Sequence, residues 1–218
     1  MGSKMLTGSM LLGGMLLGII MVFVETPPSE TDSFAIAIQK LIDNSTQARI
    51  TGVGFTIAIL GALIGLGYLA RSMQGENKPG SDLAGLASIF AILIAGIYLV
   101  SLGLELIATE KGSDWITQGG DAINAFTISE AMTRSIFVFD GLVMLFLGLA
   151  ILIQKNMSQI IGGLFTVFGI CVLFGGIFSS GDNWAGMIWF IGFLGFPLTT
   201  AATGFLILRS AIKKQQNN

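Results

Sequence analysis

Residues 83–104 read LAGLASIFAILIAGIYLVSLGL and contain no charged side chain. The ~30 Å hydrocarbon core of a bilayer is crossed by roughly 20 helical residues, so this stretch has the length and composition of a transmembrane helix. Five more apolar stretches of similar length occur in the 218-residue chain, and only the one at 135–153 contains a charge. The sequence therefore predicts an all-α, polytopic bundle of six transmembrane helices, with spans at 5–24, 50–70, 83–104, 135–153, 160–178 and 184–208.

The composition indicates that lipid is the main solvent of the chain. Hydrophobic residues make up 53% of the sequence and charged residues 11%, whereas soluble domains carry about 25% charged residues. No segment between the spans is long enough to fold a soluble core of its own. We therefore expect residues 1–218 to form a single integral membrane domain.

Several classes of activity are disfavoured by what the sequence lacks. It has no histidine, and its single cysteine, Cys171, cannot form an internal disulfide or a thiolate cluster. No Walker loop, haem-attachment motif or nucleophile–histidine pair occurs. The net charge is −2 and the basic residues are scattered, which disfavours a nucleic-acid partner. The sequence thus predicts no metal, no cofactor and no catalytic site.

The basic residues predict the orientation, because Lys and Arg are enriched in cytoplasmic loops. With six spans, seven of the eleven basic residues fall on the side of both termini and four on the other side. We therefore expect both termini in the cytoplasm and the two longer loops outside. The seven are Lys4, Arg71, Lys78, Lys155, Arg209, Lys213 and Lys214, and the four are Lys40, Arg49, Lys111 and Arg134.

The first span has two interpretations, because Lys4 followed by an apolar run also describes a secretory signal. Its apolar run of about 20 residues exceeds the usual 7–15 of a signal. The segment Val22-Phe23-Val24-Glu25 also lacks the small residues of a cleavage site. These criteria favour a retained helix, with cleavage as the alternative.

Both outward loops contain apolar residues at helical spacing. After the Thr26-Pro27-Pro28-Ser29 breaker, apolar residues recur at helical spacing among polar ones and predict a short amphipathic helix that either lies on the membrane or covers the bundle. They are Phe34, Ile38, Leu41 and Ile42. In the second loop, Ala122, Ile123 and Phe126 form another small apolar face. We therefore expect short amphipathic helices in these loops.

Two local motifs lie close to the predicted helix ends. The Ser/Thr-x-x-Glu pattern at 127–130 predicts a capping box that begins the fourth helix. Asn44 begins an Asn-Ser-Thr glycosylation sequon on the outer side, and its side chain is equally suited to cap the second helix. Asn44 is thus a candidate for either role.

Thirty glycines form the second strong signal in the chain. Gly14 and Gly18 in span one, and Gly61 and Gly65 in span two, form two small-xxx-small faces. Such faces allow helix backbones to approach closely in lipid. They predict close packing within one chain, with dimerisation through an exposed face as the alternative.

Polar residues on spans three and four form the first candidate site. Tyr98, Ser101 and Glu105 are spaced by three and four residues and therefore share one face of a helix. Asp140 on span four is expected at a comparable outer depth, so the two carboxyls could border one outward cavity. An intramembrane carboxyl finds a partner, takes up a proton or lines a water path. The alternative is structural, with Glu105 at the headgroups and Asp140 bonded to Arg134 or to the backbone.

Span six contributes the remaining candidates. Pro197 lacks an amide donor and predicts a kink, and the hydroxyls of Thr199, Thr200 and Thr203 follow it. A broken helix of this kind forms substrate sites in transporters, usually with a matching interruption in the other half of the chain. This chain has no second intramembrane proline. The alternative is therefore structural, with nearby hydroxyls donating hydrogen bonds to the carbonyl that Pro197 leaves free.

Short motifs between residue 48 and the end of span five resemble an uncharacterised prokaryotic family of six-helix integral membrane proteins. They are ARITG at 48–52, LARS at 69–72 followed by DLA at 82–84, and GLA at 148–150 leading to QIIGG at 159–163. The resemblance implies a compact six-helix bundle and no established catalytic residue.

Three functional classes follow from these observations, and the least favoured is an intramembrane enzyme that uses carboxylates, because no catalytic motif supports it. Glycine-rich packing without a reaction centre favours a structural or accessory protein of a membrane assembly, which packs against a second copy or another membrane protein. The alternative is a small-solute or proton/cation-coupled transporter that uses the polar residues of spans three, four and six. The resemblance further implies a prokaryotic plasma membrane. In each class the lipid bilayer is a partner.

Overall fold

The computed structural model describes residues 4–24, 34–109, 122–178 and 183–216. Within these ranges the chain is helical apart from short turns, and six helices are long and apolar enough to cross a membrane. The membrane helices are α1 (Lys4–Val24), α3 (Ser45–Ser72), α4 (Ser81–Thr109), α5 (Ala122–Gln154), α6 (Gln159–Phe178) and α7 (Asn183–Gln216). A short helix, α2 (Phe34–Asp43), precedes α3.

The membrane helices form a closed ring. Each of them packs against the next one along the chain, and α1 also packs against α7. Gly8 and Gly204 lie at this last contact, where a Cβ added to Gly204 would be 2.6 Å from the backbone nitrogen of Leu12 and 2.9 Å from the carbonyl oxygen of Gly8. Because these distances leave no room for a side chain, the ring closes through direct backbone contact between α1 and α7.

The first two membrane helices meet along the glycines that the sequence singles out. A Cβ added to Gly14 would lie 2.6 Å from the carbonyl oxygen of Ala58 and 2.8 Å from the backbone nitrogen of Ala62. The helix backbones of α1 and α3 therefore touch at this point. The other three glycines, Gly18, Gly61 and Gly65, face residues of the partner helix along the same contact.

The ring is filled by one continuous apolar core. Leu11, Leu66 and Phe165 are 0% exposed, although they come from α1, α3 and α6. Outside this core cluster, the partly buried Phe137 ring of α5 contacts Trp189 and Phe193 of α7 edge to face, with centroid distances of 5.5 and 5.6 Å. Large apolar side chains are exposed on the outside of every membrane helix, where lipid would cover them.

The fourth membrane helix begins earlier than its capping pattern predicts. It starts at Ala122, so Thr127 lies inside α5 and the predicted capping box at 127–130 is wrong. Packing explains the extension, because Ala125 and Phe126 are buried against Leu41 of α2. The apolar residues at 122–126 thus belong to α5 rather than to a separate loop helix. The side chains of Glu130, the last residue of the capping pattern, and of Arg134, the alternative partner of Asp140, lie outside the described part of the chain.

The short helix α2 covers one end of the ring. It contacts α3, α4 and α5, and Leu41 is buried there. Asn44 follows α2, and its side-chain amide donates to the Lys40 carbonyl at 3.0 Å instead of capping α3. The breaker at 26–29 and most of the second loop lie outside the described residues.

Candidate functional site

A tyrosine–carboxyl pair lies in the apolar core between α4 and α5. The Tyr98 hydroxyl donates to Oδ2 of Asp140 at 3.4 Å, and each residue is 6% exposed. Because 3.4 Å is long for a hydroxyl–carboxyl hydrogen bond, this is a weak contact. Oδ1 of Asp140 has no hydrogen-bond partner within the described structure. The pair therefore places an incompletely bonded carboxyl in the middle of the bundle.

A hydroxyl cluster joins the same two helices one turn beyond Tyr98 on α4. The Ser101 and Ser129 hydroxyl oxygens are 2.8 Å apart, and Ser129 Oγ also donates to the Ser101 carbonyl at 3.0 Å. Thr133 Oγ1 lies 3.0 Å from Ser101 Oγ. These contacts join α4 to α5 and use the hydroxyls of all three residues. They give the cluster the geometry of an interhelical clamp.

Glu105, the third residue of the predicted face, has different surroundings. It is half-buried, and a Cβ added to Gly52 of α3 would lie 3.5 Å from its Oε1. Glu105 is seven residues beyond Tyr98, which separates the two levels by roughly 10 Å along α4. The predicted face thus exists on α4, but Asp140 lies beside Tyr98 and Glu105 lies against α3.

The predicted residues of span six lie inside the bundle. Helix α7 continues through Pro197, and Thr199, Thr200 and Thr203 are no more than 2% exposed. Thr203 Oγ1 donates to the Thr199 carbonyl at 2.7 Å, whereas Thr200 Oγ1 has no partner in the described ranges. Thr200 is therefore a second incompletely bonded polar group in the core.

The two buried threonines of α7 form a matched pair for mutation. Thr200→Val removes an unpaired hydroxyl, so we expect the free energy of unfolding to rise by about 1 kcal/mol. Thr203→Val removes the hydrogen bond to the Thr199 carbonyl and is expected to lower the free energy of unfolding by about 0.5 kcal/mol. Thermal unfolding in neutral detergent measures both. Equal effects of the two variants would show that the Thr200 hydroxyl is not unpaired in the protein.

Ser129 and Thr133 are site residues that the sequence analysis did not select. Ser129 belongs to the predicted capping pattern, and no sequence motif includes Thr133. Their spacing of four residues places both on one face of α5 once the helix is known to begin at Ala122. Among the described residues, no group of three or more His, Cys, Asp and Glu side chains could hold a metal ion.

Comparisons with protein-family models, with curated proteins and with solved structures find no match. The class of the protein therefore rests on its own fold. Six apolar membrane-length helices around a shared core define a multi-pass integral membrane protein.

Proposed function

We propose that this protein is a structural or accessory component of a membrane assembly. The observation that supports this function is the continuous apolar core, in which Leu66, Leu147 and Phe165 are 0% exposed. Transport pathways are lined by polar groups or by water-filled cavities at membrane depth. A ring filled by Leu, Ile, Met and Phe side chains is suited to holding a shape rather than to passing a solute.

The exposed surface supports the same role. Ile57, Leu93, Val167 and Leu198 are each at least 53% exposed, and they come from four different helices. A partner that covers such a surface must itself be embedded in lipid, as a second copy or as another membrane protein. We propose that both termini of the protein lie in the cytoplasm, on the charge distribution of the sequence. The plasma membrane as the location of the assembly is proposed on the family resemblance alone.

Purification and reconstitution test the proposal together. From native membranes in mild detergent, we expect the chain to be recovered as a defined oligomer or in a stoichiometric complex. In proteoliposomes with an imposed proton gradient, we expect dissipation at the rate of protein-free liposomes, because apolar side chains fill most of the described core. Gramicidin added to the same vesicles is the positive control. A clean monomer that dissipates the gradient faster than protein-free vesicles would overturn the accessory role.

One specific observation favours a second function, a proton- or cation-coupled transporter of small solutes. Asp140 and Thr200 each have a buried oxygen without a partner in the described chain, and such atoms are available to a passing proton, ion or water. If the chain transports, solute or proton uptake should be abolished by Asp140→Asn. Glu105→Gln tests the second carboxyl, and Thr203→Val is the control because that hydroxyl is already bonded.

A further inference from the structure

The end of the bundle that carries both described termini contains a cavity of about 880 Å³. It lies between the beginning of α1, the end of α3, the α5–α6 turn and the end of α7. Gln154 helps to form it, since its side-chain amide donates to the Met73 carbonyl at 2.8 Å and joins the α5–α6 turn to the end of α3. The cavity thus depends on the closed ring and lies at the opposite end from α2.

The charge in this cavity is positive. Lys4 and Arg71 line it, and no carboxylate does so in the part of the chain that the structure describes. Neither side chain forms a salt bridge with a described residue. Glu76 and Asp82 lie in and after the α3–α4 connection without lining the cavity. Two cations that share one concave surface without a counter-charge attract an anion.

Hydrogen-bond donors are available beside these cations. The Ser158 carbonyl accepts from the backbone nitrogen of Gly162 at 3.2 Å, so α6 begins at this point and its first amides have no partner within the helix. Ser158 lines the cavity, and the partial positive charge of a helix N-terminus favours an anion. Tyr68 also lines the cavity, and the described structure gives its hydroxyl no hydrogen bond.

The hydroxyls of Ser72 and Ser210 are less available. Ser72 Oγ donates to the Leu69 carbonyl at 2.7 Å, and Ser210 Oγ donates to the Ile207 carbonyl at 2.8 Å. Both hydroxyls therefore satisfy their own helices. The recognition of an anion would rest on Lys4, Arg71, Tyr68 and the beginning of α6.

Apolar side chains form the rest of the lining. Leu69 and Met73 are buried, and Met157, Leu206 and Ile207 extend the same surface. A small hydrated anion would leave these side chains exposed to water, whereas the apolar part of an amphiphile would cover them. The cavity therefore matches a ligand with an anionic head and a less polar body.

We propose that this cavity binds a phosphate-bearing ligand, with its anion held by Lys4 and Arg71. Arg71 can pair with two phosphate oxygens through its planar guanidinium, and Lys4 adds a point charge. The headgroup of an acidic phospholipid and a soluble phosphate ester both supply this chemistry. This binding site is a further function, and the proposal does not depend on the accessory role proposed above.

Native mass spectrometry tests the site on the full chain purified in an uncharged detergent. The protein is exposed to equimolar phosphatidylglycerol and phosphatidylcholine, and the retained lipids are counted. We expect Arg71→Gln and Lys4→Gln each to lower phosphatidylglycerol retention about fivefold, since each basic residue near an anionic lipid contributes a factor of this size. Arg71→Lys should retain an intermediate amount, because it keeps the charge without the planar fork.

The matched control is Arg209→Gln, which removes a positive charge from the same end of the bundle outside the cavity lining. We expect it to leave retention unchanged. A second arm measures the thermal stability of lipid-free protein with added pyrophosphate. Stabilisation of the wild type but not of Arg71→Gln would assign the site to a soluble phosphate compound, and phosphatidylglycerol retention without this effect would assign it to a lipid.

Two outcomes would overturn the proposal. The first is equal loss of phosphatidylglycerol in Arg71→Gln and Arg209→Gln, which would mean that the lipid responds to the general positive charge of this end. The second is unchanged phosphatidylglycerol retention in both cavity variants together with no stabilisation of the wild type by pyrophosphate. Lys4→Gln keeps the test valid if Arg71→Gln fails to fold, because Lys4 is the first described residue of α1 and is exposed.

Discussion

Gly148→Ala is expected to lower the free energy of unfolding by about 3 kcal/mol, because the new methyl group has no space between α5 and α6. Its Cβ would lie 2.5 Å from the backbone nitrogen and from Oγ1 of Thr166, and 2.7 Å from the Gly162 carbonyl oxygen. Two of these three atoms belong to the backbone and cannot rotate away. The two helices would have to separate, which weakens the contacts along their whole length.

The effect should spread because a second glycine pair lies on the same contact. A Cβ added to Gly141 would lie 2.9 Å from the Gly169 carbonyl oxygen, just as Gly148 faces Gly162. The two pairs are seven residues apart on each helix. In antiparallel helices this spacing places both pairs on one line, so moving one pair apart also strains the other.

Cys171 provides the measurement. It is the single cysteine of the chain and is only partly buried, so the rate of thiol labelling during heating reports the opening of α6. Gly163→Ala is the matched control, because an added Cβ there meets nothing within 4 Å. That variant should be neutral or slightly stabilising, since alanine favours a helix over glycine. Equal melting temperatures for the two variants would contradict the backbone contact at Gly148.

The six helices could be predicted because each span is long, apolar and nearly free of charge. The beginning of α5 could not, because Ala125 and Phe126 are ordered by contacts with α2, which lies about eighty residues earlier in the chain. Gly14 and Gly61 were found because their small-xxx-small spacing is a local pattern. Gly8 and Gly204 meet only because the ring closes, and no local pattern relates residues so distant in sequence.

The candidate site shows the same division between local and nonlocal information. Helical periodicity correctly places Tyr98, Ser101 and Glu105 on neighbouring turns of one helix. Periodicity does not give the rotation of α4 about its axis relative to α3 and α5. This rotation determines that Tyr98 contacts Asp140 of α5, whereas Glu105 lies against α3. The basic cavity could not be predicted for a similar reason. In the sequence, Lys4 and Arg71 are two separate indications of orientation, and they line one cavity only because four segments meet at this end of the folded bundle.

Replacing Asp140 by leucine and Tyr98 by phenylalanine together is expected to stabilise the bundle by about 1–3 kcal/mol, the cost of an incompletely bonded polar group in an apolar core. Oδ1 of Asp140 is unpaired within the described structure, and its Oδ2 contact with Tyr98 is long. Leucine has the branching of aspartate, and phenylalanine keeps the tyrosine ring. The double variant therefore removes polar atoms with little change of shape.

The single variants separate the contributions. Tyr98→Phe removes the one hydrogen-bond partner that the described structure gives Asp140, so we expect it to destabilise the protein by about 1 kcal/mol. Tyr68→Phe is the control at the only other tyrosine, whose hydroxyl makes no hydrogen bond in the described chain, and it should change stability by less than about 0.5 kcal/mol. Unfolding followed by Cys171 labelling serves for all variants.

The sign of the double-variant effect bears on function. A buried carboxyl that lowers the stability of an apolar core is unfavourable for folding, and such unfavourable groups are found mainly at functional sites. Stabilisation by the double variant would therefore favour a proton or cation pathway through Asp140, if uptake is lost at the same time. If the double variant is more stable, assembles like the wild type and neither protein shows proton or solute uptake, the accessory role is favoured. A less stable double variant would contradict the prediction, because it would show that the carboxyl is bonded in the protein and holds α4 against α5.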